Sequence, residues 1–151
     1  MLSIGYFLLT MATVNRSLQL SCPAETAFDF IADAMNETKW NPELKSIEKL
    51  TPGPVGLGTT FRGNYGQIGD LDFSIIEYRK PSAVTFKGAN RKLDLFADFR
   101  FRDSGSSCEM EVTITIEPKG FMKIVGPILQ GQMEKGMKTR EESLRKALER
   151  G

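Results

Sequence analysis

From Ser46 to Lys119 the chain repeats one theme. Apolar and polar residues alternate over a short run, then Gly, Pro, Asn, Asp or Ser turns the chain. Alternation of this kind is the period of a strand with one buried face. It is clearest where Leu93, Leu95, Ala97, Phe99 and Phe101 alternate with charged or outward residues. Cys108, Met110, Val112, Ile114 and Ile116 then do the same against Glu109, Glu111, Thr113, Thr115 and Glu117. Asp103–Ser107 reads as the hairpin loop between these two strands. Shorter strands are predicted over 46–51, 59–65, 71–78 and around Val84 and Phe86. An earlier one is predicted over 13–21, where Val14, Leu18 and Leu20 fall on even steps. Within 71–78 the parity changes: Leu71, Phe73 and Ile75 share one phase, Ile76 and Tyr78 the other. A β-bulge near Ile75–Ile76 is predicted to bring both sets to one face.

Two short helical stretches follow the first strand. Pro23 stands where a helix can begin, Glu25 lies in its first turn, and Ala27, Phe28, Phe30, Ile31 and Ala32 make its apolar stripe. A second turn is predicted over 37–44, limited by Pro42. The last stretch, 121–151, reads as one long helix with Val125, Leu129, Met133, Met137, Arg140, Leu144 and Leu148 near one face. Gly126, Gly131 and Gly136 interrupt it, each at about 0.5–1 kcal/mol relative to alanine. A helix that tolerates them while lying over a sheet has room to leave beneath itself. Seven strands with one wet face, closed by one long helix, make an α+β domain.

Composition narrows the chemistry. The 151 residues suit one domain, expected over 13–150 after an N-terminal extension of residues 1–12. That extension begins with an apolar stretch about half as long as the roughly 20 residues a membrane-spanning helix needs. It has no basic residue before Arg16, as a secretory signal would want. Lys+Arg 20 against Asp+Glu 19 gives a net charge of +1, so no electrostatic footprint for nucleic acid is expected. Histidine is absent, which removes the commonest general base and metal ligand together. Cys22 and Cys108 match no zinc spacing, so neither metal nor cofactor is expected, and a reducing cytoplasm is the expected location. Gly56-Leu-Gly58-Thr59 lacks the lysine and the following helix of a phosphate loop, and reads as a turn.

The inward aromatic and methionine positions, Phe61, Tyr65, Phe73, Tyr78, Phe86, Phe99, Phe101 and Met110, either fill a solid core or line a pocket. Trp40 either anchors a helix end or closes one end of such a pocket. Of the polar residues, Arg62, Asn64, Glu77, Asp98 and Arg140 are expected to meet the interior. Arg140 stands out because it interrupts the helix stripe between Met137 and Leu144. An inward guanidinium needs an anion, either a ligand carboxylate or Asp98 or Glu77, or else it snorkels to the rim.

The order of elements and several local pieces resemble the START-like superfamily, specifically its polyketide cyclase/dehydrase and lipid-transport branch. The pieces are Ser17-Leu-Gln-Leu-Ser-Cys-Pro23-Ala-Glu25 running into Ala27–Asp33, Asn36, Trp40-Asn-Pro42, Gly53–Thr59, Glu77-Tyr-Arg-Lys-Pro81 and the closing helix. The resemblance spans about Thr13 to Arg150. It implies a helix-grip fold, a curved seven-stranded antiparallel sheet wrapped around the C-terminal helix. It also implies an apolar cavity between them. On that reading Trp40, Phe61, Tyr65, Phe73, Tyr78 and Phe86 line the cavity. Leu95, Phe99, Phe101, Met110, Val112 and Ile114 join them from the last two strands, and Met133, Gly136, Met137 and Arg140 from the helix. The implied function is binding of an apolar small molecule, a lipid or polyketide, as carrier or sensor, by a monomer or homodimer. A cyclase or dehydratase using the same cavity, and a protein-interaction module, are the alternatives. No catalytic residue is carried over from the family. The fold also implies that the first and last strands pair, setting Cys22 beside Cys108 as free thiols.

Overall fold

The computed structural model describes residues 11–150. The apolar stretch 1–10 and the side chain of Val125 lie outside the described residues. Seven strands form one antiparallel sheet: β1 (Ala12–Leu20), β2 (Ser46–Lys49), β3 (Thr60–Asn64), β4 (Asp70–Arg79), β5 (Ala83–Ala89), β6 (Leu93–Ser104) and β7 (Ser107–Pro118). Their order across the sheet is β1-β7-β6-β5-β4-β3-β2. β2 to β7 therefore run as a meander, and β1 returns to pair with β7. Helix α1 (Ala24–Ala32) and a 3-10 segment, Ala34–Lys39, carry the chain from one edge of the sheet to the other. A short 3-10 segment, Gly66–Ile68, links β3 to β4, and a third, Gly120–Val125, leads into the long helix α2 (Gly126–Arg150). This is the α+β helix-grip architecture.

Alternation sets the register. Phe99 lies opposite Val112 and Phe101 opposite Met110, and Phe99, Phe101, Met110 and Val112 are all buried. Phe96, in the other phase, is exposed and carries Lys87 over its ring. A one-residue slip would exchange these faces. The bulge falls where the parity changed: Ile75 faces Phe86, but the next matched pair is Glu77 with Thr85. The extra residue is Ile76, which is exposed, so the bulge turns Tyr78 inward and leaves Ile76 on the wet face. That corrects the expectation that both would turn in. The second helical stretch lies earlier than 37–44. The Asp33 side chain accepts the Met35 N–H and starts it, and it ends before Trp40, two residues ahead of Pro42.

Two helical elements share the inner face. α1 sits over one end, where its fully buried Phe28 meets Tyr78 edge-on at 5.1 Å and Phe101 at 5.8 Å. α2 lies against β1 and turns Met133, Met137, Leu144 and Leu148 inward. Its Gln130 side chain accepts the Thr13 backbone N–H and donates to the Thr13 carbonyl, each at 2.7 Å. Gln130 thus stands in for a neighbouring strand along the outer side of β1. Leu20 pairs with Cys108, which puts Cys22 two residues past that register point. Both cysteines are free thiols, and the Cys22 and Cys108 side chains touch. Burial, and then the neighbouring thiol, push Cys108 up to about 11.

Four of the polar residues expected inside are elsewhere. Arg62 makes a two-pronged ion pair with Asp72 on the outer face, and Asn64 donates to Asp70. Glu77 and Asp98 both bind Arg100 and both accept from the Thr85 hydroxyl. The strand phase explains all four: each is one step out of register with the buried set. Only Arg140 reaches the interior.

Candidate ligand cavity

Between sheet and α2 lies a cavity of about 800 Å³. Its wall is built from three sources. The sheet contributes Val14, Phe73, Phe86, Leu93, Leu95, Ala97, Phe99, Ile114 and Ile116. α2 contributes Leu129, Met133, Met137 and Arg140. α1 and the segments between elements contribute Ile31, Ala34, Glu37, Trp40, Asn41, Tyr65 and Ile68. Exposed Glu43, Lys45, Gln67 and Lys92 are also part of the lining, so the cavity reaches solvent there.

Ten of the sixteen sequence-derived cavity residues lie in this wall: Trp40, Tyr65, Phe73, Phe86, Leu95, Phe99, Ile114, Met133, Met137 and Arg140. The remaining six do not. Phe101 and Tyr78 are covered by Phe28 of α1, so the sheet under α1 is solid core. Phe61 stacks on Phe73 at 5.6 Å, one strand behind the wall. Met110 and Val112 are buried in β7 outside the wall. Gly136 also lies outside it. A Cβ placed there would stand 3.4 Å from Cζ and Nη1 of Arg140. The space left by this glycine is filled by the Arg140 guanidinium, not by the cavity.

A polar cluster interrupts the apolar wall. The Tyr65 hydroxyl donates to one oxygen of Glu37 at 3.0 Å, and Asn41 Nδ2 donates to the other at 2.9 Å. Asn41 Oδ1 accepts from Arg140 Nε at 3.3 Å and from the Glu43 N–H at 3.1 Å. Arg140 Nη2 completes the set with Glu43 at 2.7 Å. The partner of Arg140 is therefore Glu43, not Asp98 or Glu77. Burial raises the Glu37 carboxyl above its ordinary value of 4.5, and the two hydrogen bonds and the Arg140 charge hold it back. Burial also raises the Tyr65 phenol, and the Glu37 charge pushes it further up.

Glu37, Asn41 and Glu43 were not singled out from sequence. The signal available was spacing: Glu37 and Asn41 are four residues apart beside the lone tryptophan, a separation that brings side chains together on one helical turn. Nothing local announces that both would meet Tyr65 and Arg140, since those contacts cross 28 and 99 residues of sequence.

A sheet that grips a C-terminal helix over such a cavity defines a START-like domain. Residues 11–149 match the profile of the family described as polyketide cyclase / dehydrase and lipid transport. The chain belongs to that family. Among solved structures it is similar to a START superfamily protein from Mycobacterium smegmatis (17% identity, 91% of this chain and 97% of that one, TM-score 0.72). It is also similar to the Zhui aromatase/cyclase from Streptomyces sp. R1128 (11% identity, 93% and 94%, TM-score 0.74). A third match is the di-domain ARO/CYC BexL from the BE-7585A biosynthetic pathway (12% identity, 93% of this chain and 51% of that one, TM-score 0.70). At these identities the likeness is one of fold. Comparison with curated proteins gives no match. Among the described residues no helix is long and apolar enough to cross a membrane.

Proposed function

We propose that this protein binds an apolar small molecule, of the lipid or polyketide kind, in the cavity between sheet and α2, and acts as its carrier or sensor. The observation that carries this reading is the cavity itself. Its volume of about 800 Å³ falls in the range of small-molecule sites, and its wall is mainly aliphatic and aromatic. Removal of ligand surface from water, at ~25 cal/mol per Å² before ordering costs, supplies the affinity. Family membership supports either hydrophobic ligand binding or a cyclase role. A reducing, cytoplasmic setting, in which Cys22 and Cys108 stay thiols, belongs to the same reading.

Cyclase or dehydratase chemistry is the second reading, and one observation favours it. Glu37 and Tyr65 are a carboxyl and a phenol in hydrogen-bond contact on the cavity wall, the kind of pair that moves a proton. The interaction-module reading draws only on Ile124 and Ile128, 80% and 63% exposed near the start of α2.

Trp40, the sole tryptophan, lines the cavity and reports on its contents. Protein purified from its source is expected to show a non-covalent adduct by native mass spectrometry. Returning the extracted molecule to stripped protein is expected to shift Trp40 emission. Absence of any adduct, with no emission change on titration with fatty acids, sterols or aromatic polyketides, would refute the binding reading. If the returned molecule leaves with a changed mass, and Glu37→Gln abolishes that change, the enzymatic reading replaces the carrier.

A further inference from the structure

We infer that the ligand carries a hydrogen-bond-accepting carbonyl or carboxylate oxygen on an otherwise apolar body, and that Arg140 Nη1 anchors it. The inference rests on the cavity reading above and narrows the class of molecule.

Arg140 lies on α2 between the buried Met137 and Leu144, and its side chain, only 17% exposed, forms part of the cavity wall. A guanidinium has five N–H donors in a fixed plane. Here Nε is used on Asn41 and Nη2 on Glu43. The third nitrogen, Nη1, makes no hydrogen bond among the described residues. The plane cannot readily turn away to find one. Asn41 and Glu43 hold two of its nitrogens, and Cζ and Nη1 sit at van der Waals distance from where a side chain would start at Gly136. A side chain longer than alanine at 136 would compete with the guanidinium for this space.

The two oxygens of Glu37 accept from Tyr65 and from Asn41, and Glu37 makes no hydrogen bond with Arg140 among the described residues. Charge agrees with an acceptor. Lys45, Lys92 and Arg140 in the lining outnumber Glu37 and Glu43. A guanidinium nitrogen on the cavity wall with no protein partner among the described residues is placed to donate to a ligand oxygen, and a charge-assisted bond of that kind is among the stronger ones.

The test compares three probes of equal chain length, a medium-chain fatty acid, its methyl ketone and the n-alkane, by their effect on Trp40 emission. Wild type is expected to bind the acid and the ketone at least about tenfold more tightly than the alkane, equivalent to about 1.4 kcal/mol. Arg140→Met is expected to abolish that preference, so that the acid and the ketone bind no more tightly than the alkane. Gly136→Leu keeps the charge but crowds its seat, and is expected to reduce the preference in part. Acid ahead of ketone assigns a carboxylate, and equal binding of the two assigns a carbonyl. Equal affinity for all three probes in wild type overturns the anchor and leaves the cavity reading standing. So does a preference that survives in folded Arg140→Met. Failure of all three probes to bind wild type overturns the anchor, and overturns the cavity reading as well when no adduct is found and sterols and aromatic polyketides also leave Trp40 emission unchanged.

Discussion

At Glu37 two opposed effects meet in one side chain. Partial withdrawal from water favours the neutral acid, whereas Tyr65, Asn41 and Arg140 favour the carboxylate, and the first effect wins. Because the folded-state pKa lies above the unfolded one, the folded protein holds this proton more tightly. The resulting stability is full below about the ordinary value of 4.5 and is lost as pH rises through the raised folded value. Glu37→Gln removes the titration but keeps one acceptor oxygen and most of the shape. Its stability relative to wild type is therefore expected to increase as pH goes from below 4.5 toward neutrality, followed by urea midpoints at each pH. A difference that stays constant across that range would show that Glu37 titrates alike in both states. None of this was visible in sequence, where Glu37 is one polar residue among Asn36, Thr38 and Lys39. The burial of a short polar segment depends on what the fold lays over it.

At the scale of elements, strand phase was legible and coverage was not. Alternation placed Phe99, Phe101, Met110 and Val112 on the inner face, and the change of parity placed the bulge. It could not say which helix covers which stretch. Phe101 and Tyr78 lie inward but under α1, where Phe28 fills the space. Phe73, Phe86 and Phe99 lie inward on the cavity wall instead. Close strand approach matters as much. A Cβ at Gly88 would stand 2.7 Å from the Asp72 carbonyl oxygen and 2.7 Å from Phe73 Cβ, so β4 would have to move. Gly88→Ala is expected to destabilise the fold by about 1–3 kcal/mol, as overpacking in a core does, read from denaturant midpoints. It is also expected to shift Phe73 in the wall, and so to weaken probe binding. An unchanged midpoint would mean that β4 yields without loss. The helix glycines teach the converse: Gly136 was legible as an oddity, but its occupant, a side chain one turn further on, was not.

For the whole molecule, the order of elements was the strongest signal, since strand, two short helical stretches, six strands and a long helix admit few closures. β1 returning to β7 follows from it, and so does the meeting of Cys22 with Cys108. The polar cluster joins the link between α1 and β2, the end of β3 and the middle of α2, so it exists only once the entire chain is folded. Such a site has no local sequence signature to find.

The double hydrogen bond between Gln130 and Thr13 fixes the first part of α2 to the rim of the sheet. If the helix must lift for a guest to enter or leave, this latch must part first, and the Thr13 amide becomes a clock for that breathing motion. Its hydrogen–deuterium exchange is expected to slow when the cavity is filled and to quicken in Gln130→Ala, with amides of the β6–β7 ladder unchanged in both cases. Exchange at Thr13 that ignores both occupancy and the substitution would mean the guest passes elsewhere, through the solvent-facing rim at Lys45, Gln67 and Lys92. The grip would then be a rigid frame and not a door.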